Sequence, residues 1–208
     1  MGVWTERVVP RLTDRALSSA EIGELRDSAC SGLAGRVLEI GFGSGLNLPH
    51  LPAEVEALSA VEPADAGWAL SAQRRAGSSV PVERTGLDGQ RLAADDASYD
   101  AVLSTFTLCT IPDVSAALAE VRRVLRPGGS FHFLEHGLAP DEGVVAWQRR
   151  LEPLQRRVFA GCHLTRDVPN LVEAAGLEVT ALEQRYLPGP RPLRPWSYGS
   201  LGRAVRPA

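Results

Sequence analysis

The chain has 208 residues, of which 44% are hydrophobic and 23% charged, and its formal net charge is −3. This composition suits one globular domain with a packed core, and the lack of a basic excess excludes a dedicated nucleic-acid binder. All 22 basic residues are arginine, which excludes Schiff-base chemistry and a Walker-type phosphate loop because both require lysine.

Targeting and metal-binding signals are not found either. The N-terminus has no apolar h-region and no stretch approaches 18 apolar residues, so we expect neither a signal peptide nor a transmembrane segment and place the protein in the cytoplasm. The three cysteines, Cys30, Cys109 and Cys162, form no CxxC pair. We therefore expect no disulfide framework, and no metal site because no ligands cluster in the sequence.

The first 33 residues carry apolar side chains at helical spacing, divided into two pieces by Pro10 and the Thr13–Asp14 pair. From Gly35 onward, short apolar runs alternate with helical segments. The runs cover residues 36–40, 57–61, 80–83, 99–103 and 129–134, and the helical segments cover 46–50, 64–75 and 114–125. This alternation predicts βαβ units and a parallel sheet, which is an α/β fold.

The segment 139–159 is predicted as an amphipathic helix. Its two arginine pairs, at 149–150 and 156–157, are seven residues apart and share one face. We interpret this as a solvated face, with weak association with an anionic membrane surface or an acidic partner as the alternative. The proline-rich stretch 187–196 is predicted as a loop between two terminal strands.

The strongest chemical signal is a glycine-rich turn after the first strand. Residues 37–45 read VLEIGFGSG, and glycines at 41, 43 and 45 allow positive φ and close approach of a ligand. Leu46 occupies the position where a dinucleotide fingerprint has its third glycine. The turn therefore favours a nucleoside without a pyrophosphate.

Two carboxylates accompany this turn. Glu62 follows Gly41 by 21 positions and ends the second apolar run, where a carboxylate can accept hydrogen bonds from both ribose hydroxyls. Glu39 comes two residues before the first glycine and can hold a cationic amino group near the turn.

Residues 36–136 resemble class I S-adenosylmethionine-dependent methyltransferases. The matching segments are VLEIGFGSG (37–45), AVEP (60–63), LDGQRLAADDASYDAVLSTF (87–106) and LAEVRRVLRPGGSFHFLEH (118–136). The resemblance implies a Rossmann-like, seven-stranded, mostly parallel sheet with an antiparallel last strand and helices on both faces. It also implies helical lid elements at the N-terminus and after the fifth strand, and S-adenosylmethionine as cofactor with S-adenosylhomocysteine as product.

The resemblance also implies roles for individual residues. The glycine turn would face the methionine part of the cofactor, with Asn47 near its carboxylate. Asp88 would bind the adenine amino group with the Gly89 backbone beside the ring, and Thr105 and Phe106 would flank the methionine. The implied cofactor-binding residues are Glu39, Gly41, Gly43, Gly45, Asn47, Glu62, Pro63, Asp88, Gly89, Thr105 and Phe106.

A catalytic base is expected at the carboxyl edge of the sheet, where open α/β folds bind ligands. His136 ends the fifth strand, and we predict that its imidazole takes or orients the acceptor's proton; a structural histidine is the alternative. His132 is interpreted as structural, His50 as a surface residue, and the loop of His163 as either a lid or a helix cap. Cys109 is interpreted as a small hydrophobic residue.

Three further segments resemble the methyltransferase-like 7 group of thiol methyltransferases: TLCTI (107–111), AWQRRLEPLQRRVFAGCHLTRD (146–167) and RPWSYGSLGRAV (194–205). This implies S-methylation of a small-molecule thiol. The alternative is O- or C-methylation of a phenolic or quinone-like small molecule. A nicotinamide-dependent oxidoreductase and a non-catalytic S-adenosylmethionine-binding protein are further alternatives.

We predict one domain, residues 1–208, built from a helical cap (1–33), a cofactor-binding core (34–136), a lid and helix (137–175) and a terminal strand pair (176–208). Residues 1–30 and 142–167 are expected to cover the reactive end of the cofactor. Trp4, Trp147 and Phe159 would then form an apolar wall of the acceptor pocket.

Overall fold

A seven-stranded sheet forms the centre of the computed structural model, which describes residues 4–187 and 189–208. The predicted cap residues 1–3 and Pro188 of the proline-rich stretch lie outside the described chain. The strands are β1 (Gly35–Ile40), β2 (Val55–Val61), β3 (Val82–Gly86), β4 (Tyr99–Thr105), β5 (Leu125–His136), β6 (Glu178–Tyr186) and β7 (Tyr198–Val205).

The strand order is β3-β2-β1-β4-β5-β7-β6. The pairs β1–β2, β1–β4, β2–β3 and β4–β5 are parallel, and β7 runs antiparallel to both β5 and β6. The predicted fold class is therefore confirmed. Because β1 has neighbours on both sides with connections leaving in opposite directions, the carboxyl ends of β1, β2 and β4 meet at a topological switch point.

Eight α-helices surround this sheet within the described residues. They are α1 (Val9–Ala16), α2 (Ala20–Cys30), α3 (Asp65–Leu70), α4 (Ala72–Ala76), α5 (Val114–Val124), α6 (Glu142–Val158), α7 (Val168–Ala174) and α8 (Arg194–Ser197). A π-helical turn (Trp4–Val8) precedes α1, and 3₁₀ turns occupy Leu48–His50 and Arg191–Leu193. Asp113 caps α5 by accepting a hydrogen bond from the Ala116 amide.

Three helical predictions differ from the structure. The predicted helix 46–50 is only a 3₁₀ turn, and the predicted helix 64–75 is divided between α3 and α4 at Ser71, whose Oγ donates to the Trp68 carbonyl. In the N-terminal segment the two helices are separated at residues 17–19, not at Pro10 or the Thr13–Asp14 pair. Thr13 lies inside α1, where its Oγ1 donates to the Val9 carbonyl. Pro10 lies in the first turn of α1, where a missing N–H removes no helical hydrogen bond.

The core has two parts, one on each face of the sheet. Val102, Phe131 and Phe133 pack against α5 and α7, whereas Val37 and Leu134 pack against α2 on the other face. Strand residues alternate between the two faces, as a sheet covered on both sides requires.

Helix α6 carries the two predicted arginine pairs on its exposed surface, together with exposed Trp147 and Leu154. No helix in the described part of the chain has both the length and the apolar content needed to cross a bilayer.

Candidate functional site

A cavity of about 580 Å³ lies at the carboxyl ends of β1, β2 and β4. This volume is within the range of sites for one drug-sized ligand. Ten of the eleven residues that the resemblance implies for cofactor binding line it: Glu39, Gly41, Gly43, Asn47, Glu62, Pro63, Asp88, Gly89, Thr105 and Phe106. Gly45 is not among the lining residues.

The glycine turn has the backbone conformation that its residues predict. Gly41, Gly43 and Gly45 have φ values of +73°, +58° and +75°, which side-chain-bearing residues rarely adopt. A Cβ at Gly41 would lie 2.0 Å from Thr107 Oγ1, and one at Gly45 would lie 3.0 Å from the Phe42 ring. Gly45 therefore serves the packing of the turn rather than the surface of the cavity.

Glu62 directly follows β2, and backbone amides already position both of its carboxylate oxygens. Oε2 accepts from the Gly43 amide at 2.6 Å, and Oε1 accepts from the Ala64 amide at 2.7 Å. Burial raises the pKa of Glu62 above its usual value, against the opposing effect of these amides and of Arg84. Each oxygen retains a second acceptor position, so the carboxylate can take two further hydrogen bonds from a ligand.

A buried polar network lies beneath the turn. Arg26 Nη1 donates to Asn47 Oδ1 at 2.6 Å and to Thr105 Oγ1 at 3.0 Å. Asn47 Nδ2 donates to Glu39 Oε1 at 2.8 Å and to Thr105 Oγ1 at 2.9 Å. Sequence analysis does not identify Arg26 as a site residue, because a single arginine in a helical pattern usually lies on the solvated face. In the structure Arg26 is only 3% exposed.

One oxygen in this network has no partner. Glu39 Oε2 is buried and makes no hydrogen bond within the described structure. Burial raises the pKa of Glu39 to about 8, although Asn47 and Arg26 oppose the shift. Because Glu39 also lines the cavity, its free oxygen fits a cationic group of a ligand.

Phe106, directly after β4, has a strained backbone. Its φ is +52°, which is uncommon for a residue other than glycine and is often found at functional sites. Its amide donates to the Leu134 carbonyl at 2.8 Å, and the Arg26 guanidinium carbon lies 5.7 Å from the centre of its ring. The strain places an aromatic ring at the cavity surface.

Helix α1 closes one side of the cavity. Asp14 Oδ1 accepts from Ser44 Oγ at 2.6 Å and from Arg74 Nη1 at 2.9 Å, which fastens the helix to the glycine turn. Val9, Pro10 and Leu17 add apolar lining. The N-terminal segment thus lies where a lid is predicted.

The second predicted lid segment contributes less to the cavity. Of the described residues 142–167, one lines the cavity, Ala160. Trp4, Trp147 and Phe159 do not line the cavity and are exposed, with Trp4 Nε1 donating to the Val158 carbonyl. The predicted apolar wall of aromatic side chains is therefore not formed here.

His136 ends β5 as predicted, but its ring does not line the cavity. Its Nε2 lies 3.0 Å from Cys162 Sγ, which in turn lies 3.6 Å from Cys109 Sγ. The Cys109 thiol and the His136 ring lower the pKa of Cys162. Sequence patterns do not reveal this cluster, because its members are 27 and 26 positions apart.

The other three histidines have internal partners. His132 Nδ1 lies 2.8 Å from the Ala29 carbonyl, His50 Nδ1 lies 2.6 Å from Asp27 Oδ1, and His163 Nδ1 lies 2.9 Å from Glu152 Oε1. The contact of His132 agrees with its structural interpretation, and His50, predicted to lie at the surface, is partly exposed and pairs with the exposed Asp27. Asp167 caps α7 through the Asn170 amide, which agrees with the helix-cap alternative for the loop of His163.

The cavity fits S-adenosylmethionine in three respects. Glu39 offers a free buried oxygen at the turn, Glu62 offers two acceptor oxygens at the end of the next strand, and Gly43 leaves the turn without a side chain. The two carboxylates, Glu39 and Glu62, suit a ligand that carries an amino group and a ribose.

Comparisons with known proteins agree with this geometry. Residues 38–133 match the family model described as a methyltransferase domain. Thiol S-methyltransferase TMT1B of Homo sapiens is 31% identical over 183 residues, which covers 85% of this chain and 73% of the human protein. TMT1B of Rattus norvegicus is 38% identical over 112 residues, 53% of this chain and 45% of the rat protein, so this match spans less than half of its relative.

The fold is shared with solved structures at lower sequence identity. An S-adenosylmethionine dependent methyltransferase from Mesorhizobium loti superposes with a TM-score of 0.65 at 19% identity, covering 90% of this chain and 98% of that chain. By its fold, its domain match and its similarity to the human enzyme, the chain belongs to the class I S-adenosylmethionine-dependent methyltransferases, in the group that includes thiol S-methyltransferase TMT1B.

Proposed function

We propose that the protein transfers the methyl group of S-adenosylmethionine to a small-molecule thiol. The observation that carries this proposal is the composition of the cavity wall. Among the described lining residues there is no histidine, lysine or cysteine. A thiol is the acceptor that depends least on a base supplied by the wall.

The carboxylates of the wall are all engaged in the protein's own hydrogen bonds. Asp14 accepts from Ser44 and Arg74, Glu39 from Asn47, and Glu62 from two backbone amides. Asp88 Oδ1 accepts from the Gln90 amide and side chain at 2.9 Å each. Each of these carboxylates is oriented by the protein's own hydrogen bonds, and the free oxygen of Glu39 is assigned to the donor's amino group.

We assign the donor to the lining residues as follows. Glu39 faces the cationic amino group, Glu62 accepts from the ribose hydroxyls, and Asp88 with the Gly89 backbone takes the adenine. Thr105 and Phe106 flank the methionine part. Asn47 is fixed by Arg26 and positions Glu39, so its contribution is to keep the free oxygen of Glu39 in place.

The chemistry asks little of the protein beyond alignment. The bound donor supplies a methyl group on a positively charged sulfur, which is a good leaving group. A free thiol has a pKa near 8.5 and ionises partly at neutral pH, whereas a phenol has a pKa near 10. The wall must hold the thiolate in line with the methyl group, which is catalysis by proximity and orientation.

His136 remains a predicted base, supported by its place at the carboxyl end of β5. Its Nε2 faces Cys162 and not the cavity. Because a thiol ionises partly without a base, the proposed function does not depend on His136. If His136 removes the proton, His136→Asn should slow a high-pKa thiol by about 10²-fold or more and a low-pKa thiol far less. Equal rates for variant and wild type with both thiols would rule out this role.

Matched acceptors test the proposed function. Thiophenol and phenol, and 2-mercaptoethanol and ethylene glycol, differ only in sulfur or oxygen. We expect S-adenosylhomocysteine release with the thiols, rising with pH toward each thiol's pKa, and not with the oxygen analogues. Turnover of phenol without turnover of either thiol would overturn the proposal in favour of O-methylation.

A further inference from the structure

Three potential metal ligands meet in the interior beside the cavity. Cys109 follows β4, His136 ends β5, and Cys162 follows α6. The sulfur atoms of the two cysteines and a ring nitrogen of His136 all lie within 4.8 Å of one another. Both cysteines are buried, at 2% and 6% exposure. Three separate segments of the chain therefore bring two sulfur atoms and one nitrogen donor to one point.

The spacing of these atoms is close to that of a tetrahedral zinc site. Zinc binds thiolate sulfur at about 2.3 Å and imidazole nitrogen at about 2.0–2.1 Å, which places two sulfurs about 3.8 Å apart and sulfur about 3.5 Å from nitrogen. The observed distances are 3.6 Å between the sulfurs and 3.0 Å from Cys162 Sγ to His136 Nε2. Shifts of about half an ångström would open the cluster to the metal.

The donor set selects the kind of metal. Two thiolates and one neutral imidazole favour zinc over magnesium or calcium, which prefer oxygen ligands. Two thiolate charges also neutralise a divalent ion, so the complex can be buried without a net charge.

A neighbouring side chain orients one of the sulfur ligands. Gln155 Nε2 donates to Cys162 Sγ at 3.5 Å, and Trp196 holds Gln155 in place by donating to its Oε1 at 3.0 Å.

We propose that Cys109, His136 and Cys162 bind one Zn²⁺ ion, with the fourth coordination position left to a water molecule or another exogenous ligand. Binding releases the thiol protons to solvent and requires the imidazole to be neutral. The site lies outside the donor cavity and does not depend on which acceptor is methylated, but a zinc-bound His136 cannot also be the base, so these two roles of His136 exclude each other.

The zinc site would act on the cavity from behind its wall. Cys109 lies between Phe106 and Thr110, which line the cavity, and Cys162 lies two residues after Ala160, which also lines it. The His163 amide already donates to the Cys109 carbonyl at 2.8 Å. The ion would add a second connection between these two segments and stabilise that side of the cavity.

Cobalt and zinc titration of the full chain, kept reduced with a phosphine, tests the proposal. We expect about one equivalent of Co²⁺ to bind with a sulfur-to-cobalt charge-transfer band in the near ultraviolet, and the band to disappear as Zn²⁺ replaces cobalt. Cys30→Ser is the matched control, because Cys30 is buried and free but lies outside the cluster. It should keep full binding.

The ligand variants should lose the metal. Cys162→Ser and His136→Asn should reduce bound zinc, measured by mass spectrometry of the metal, at least tenfold. If a variant fails to fold, the wild-type cobalt spectrum decides alone. A wild-type chain that binds no cobalt or zinc, shows no thiolate band, or loses Cys109 and Cys162 to a disulfide under the same reducing conditions overturns the proposal, as does equal loss of metal in Cys30→Ser.

Discussion

At the scale of single residues, the site depends on carboxylates whose surroundings are set by backbone amides and burial. Glu62 can face a ligand in one fixed orientation because the Gly43 and Ala64 amides hold both of its oxygens. Pre-positioning of this kind reduces the entropy that ligand binding must overcome. The glycine at 43 matters twice, since it supplies both the turn and one of the amides.

Glu62→Ala should weaken donor binding strongly. Two hydrogen bonds to a charged group are each worth roughly 1.5–3 kcal/mol, so the dissociation constant for S-adenosylhomocysteine should rise about 10²-fold or more. Calorimetry measures this directly. Glu56→Ala is the matched control, because Glu56 is an exposed glutamate on the same strand, β2, and it should leave the constant unchanged. An unchanged constant in both variants removes Glu62 from the ribose role.

Glu39 should make stability depend on pH. Its pKa is raised by burial to about 8 in the folded chain, whereas the unfolded value is near 4.3. The folded state therefore holds a proton that the unfolded state releases. The stability contributed by this group is fully present below pH 4.3 and is lost as the pH rises through 8.

Glu39→Gln should remove this dependence, because the amide does not titrate. In urea unfolding at several pH values, the free energy of wild type minus variant should fall steadily between pH 5 and 8. Glu56→Gln controls for loss of an exposed charge. A wild-type-minus-variant difference that stays constant over this range would mean that Glu39 is ionised throughout.

At the scale of elements, local patterns predicted the strands well but did not predict the long-range contacts between side chains. The apolar runs of β1, β2 and β4 and the Asp113 cap depend on residues that are adjacent in the sequence. The contact of Asp14 with Ser44 and Arg74 joins residues 30 and 60 positions apart, and the Cys109, His136 and Cys162 cluster joins three strand and helix ends. Neither has a periodic signal, so only the folded chain brings these side chains together.

Helix α1 should be the mobile side of the cavity, and Asp14 should control it. The Asp14–Arg74 pair is partly exposed, so its loss together with the Ser44 bond should cost about 1–2 kcal/mol. In Asp14→Ala, amide hydrogen exchange over residues 9–17 should accelerate about 5–30-fold. Asp96→Ala, which breaks a more exposed pair with Arg123 away from the cavity, should not change exchange there. Equal exchange rates in Asp14→Ala and wild type would contradict the proposal that Asp14 holds α1 against the glycine turn.

At the scale of the whole molecule, the sheet order brings the ends of three strands to one cavity. Glu39 comes from β1, Glu62 follows β2 and Thr105 ends β4, and these strands are bonded side by side. A ligand that touches all three is bound only while the sheet is intact. Its binding energy therefore adds to the stability of the entire domain.

This coupling predicts a selective thermal shift. At a free S-adenosylhomocysteine concentration 100 times its dissociation constant, the folded state gains about 2.7 kcal/mol. For a domain of this size each kcal/mol raises Tm by about 2–4 °C, so Tm should rise by about 5–11 °C. NADH should give no comparable shift, because Leu46 replaces the third glycine of a pyrophosphate-binding turn. A shift with NADH equal to that with S-adenosylhomocysteine would contradict the nucleoside selectivity that the GxGxG turn predicts.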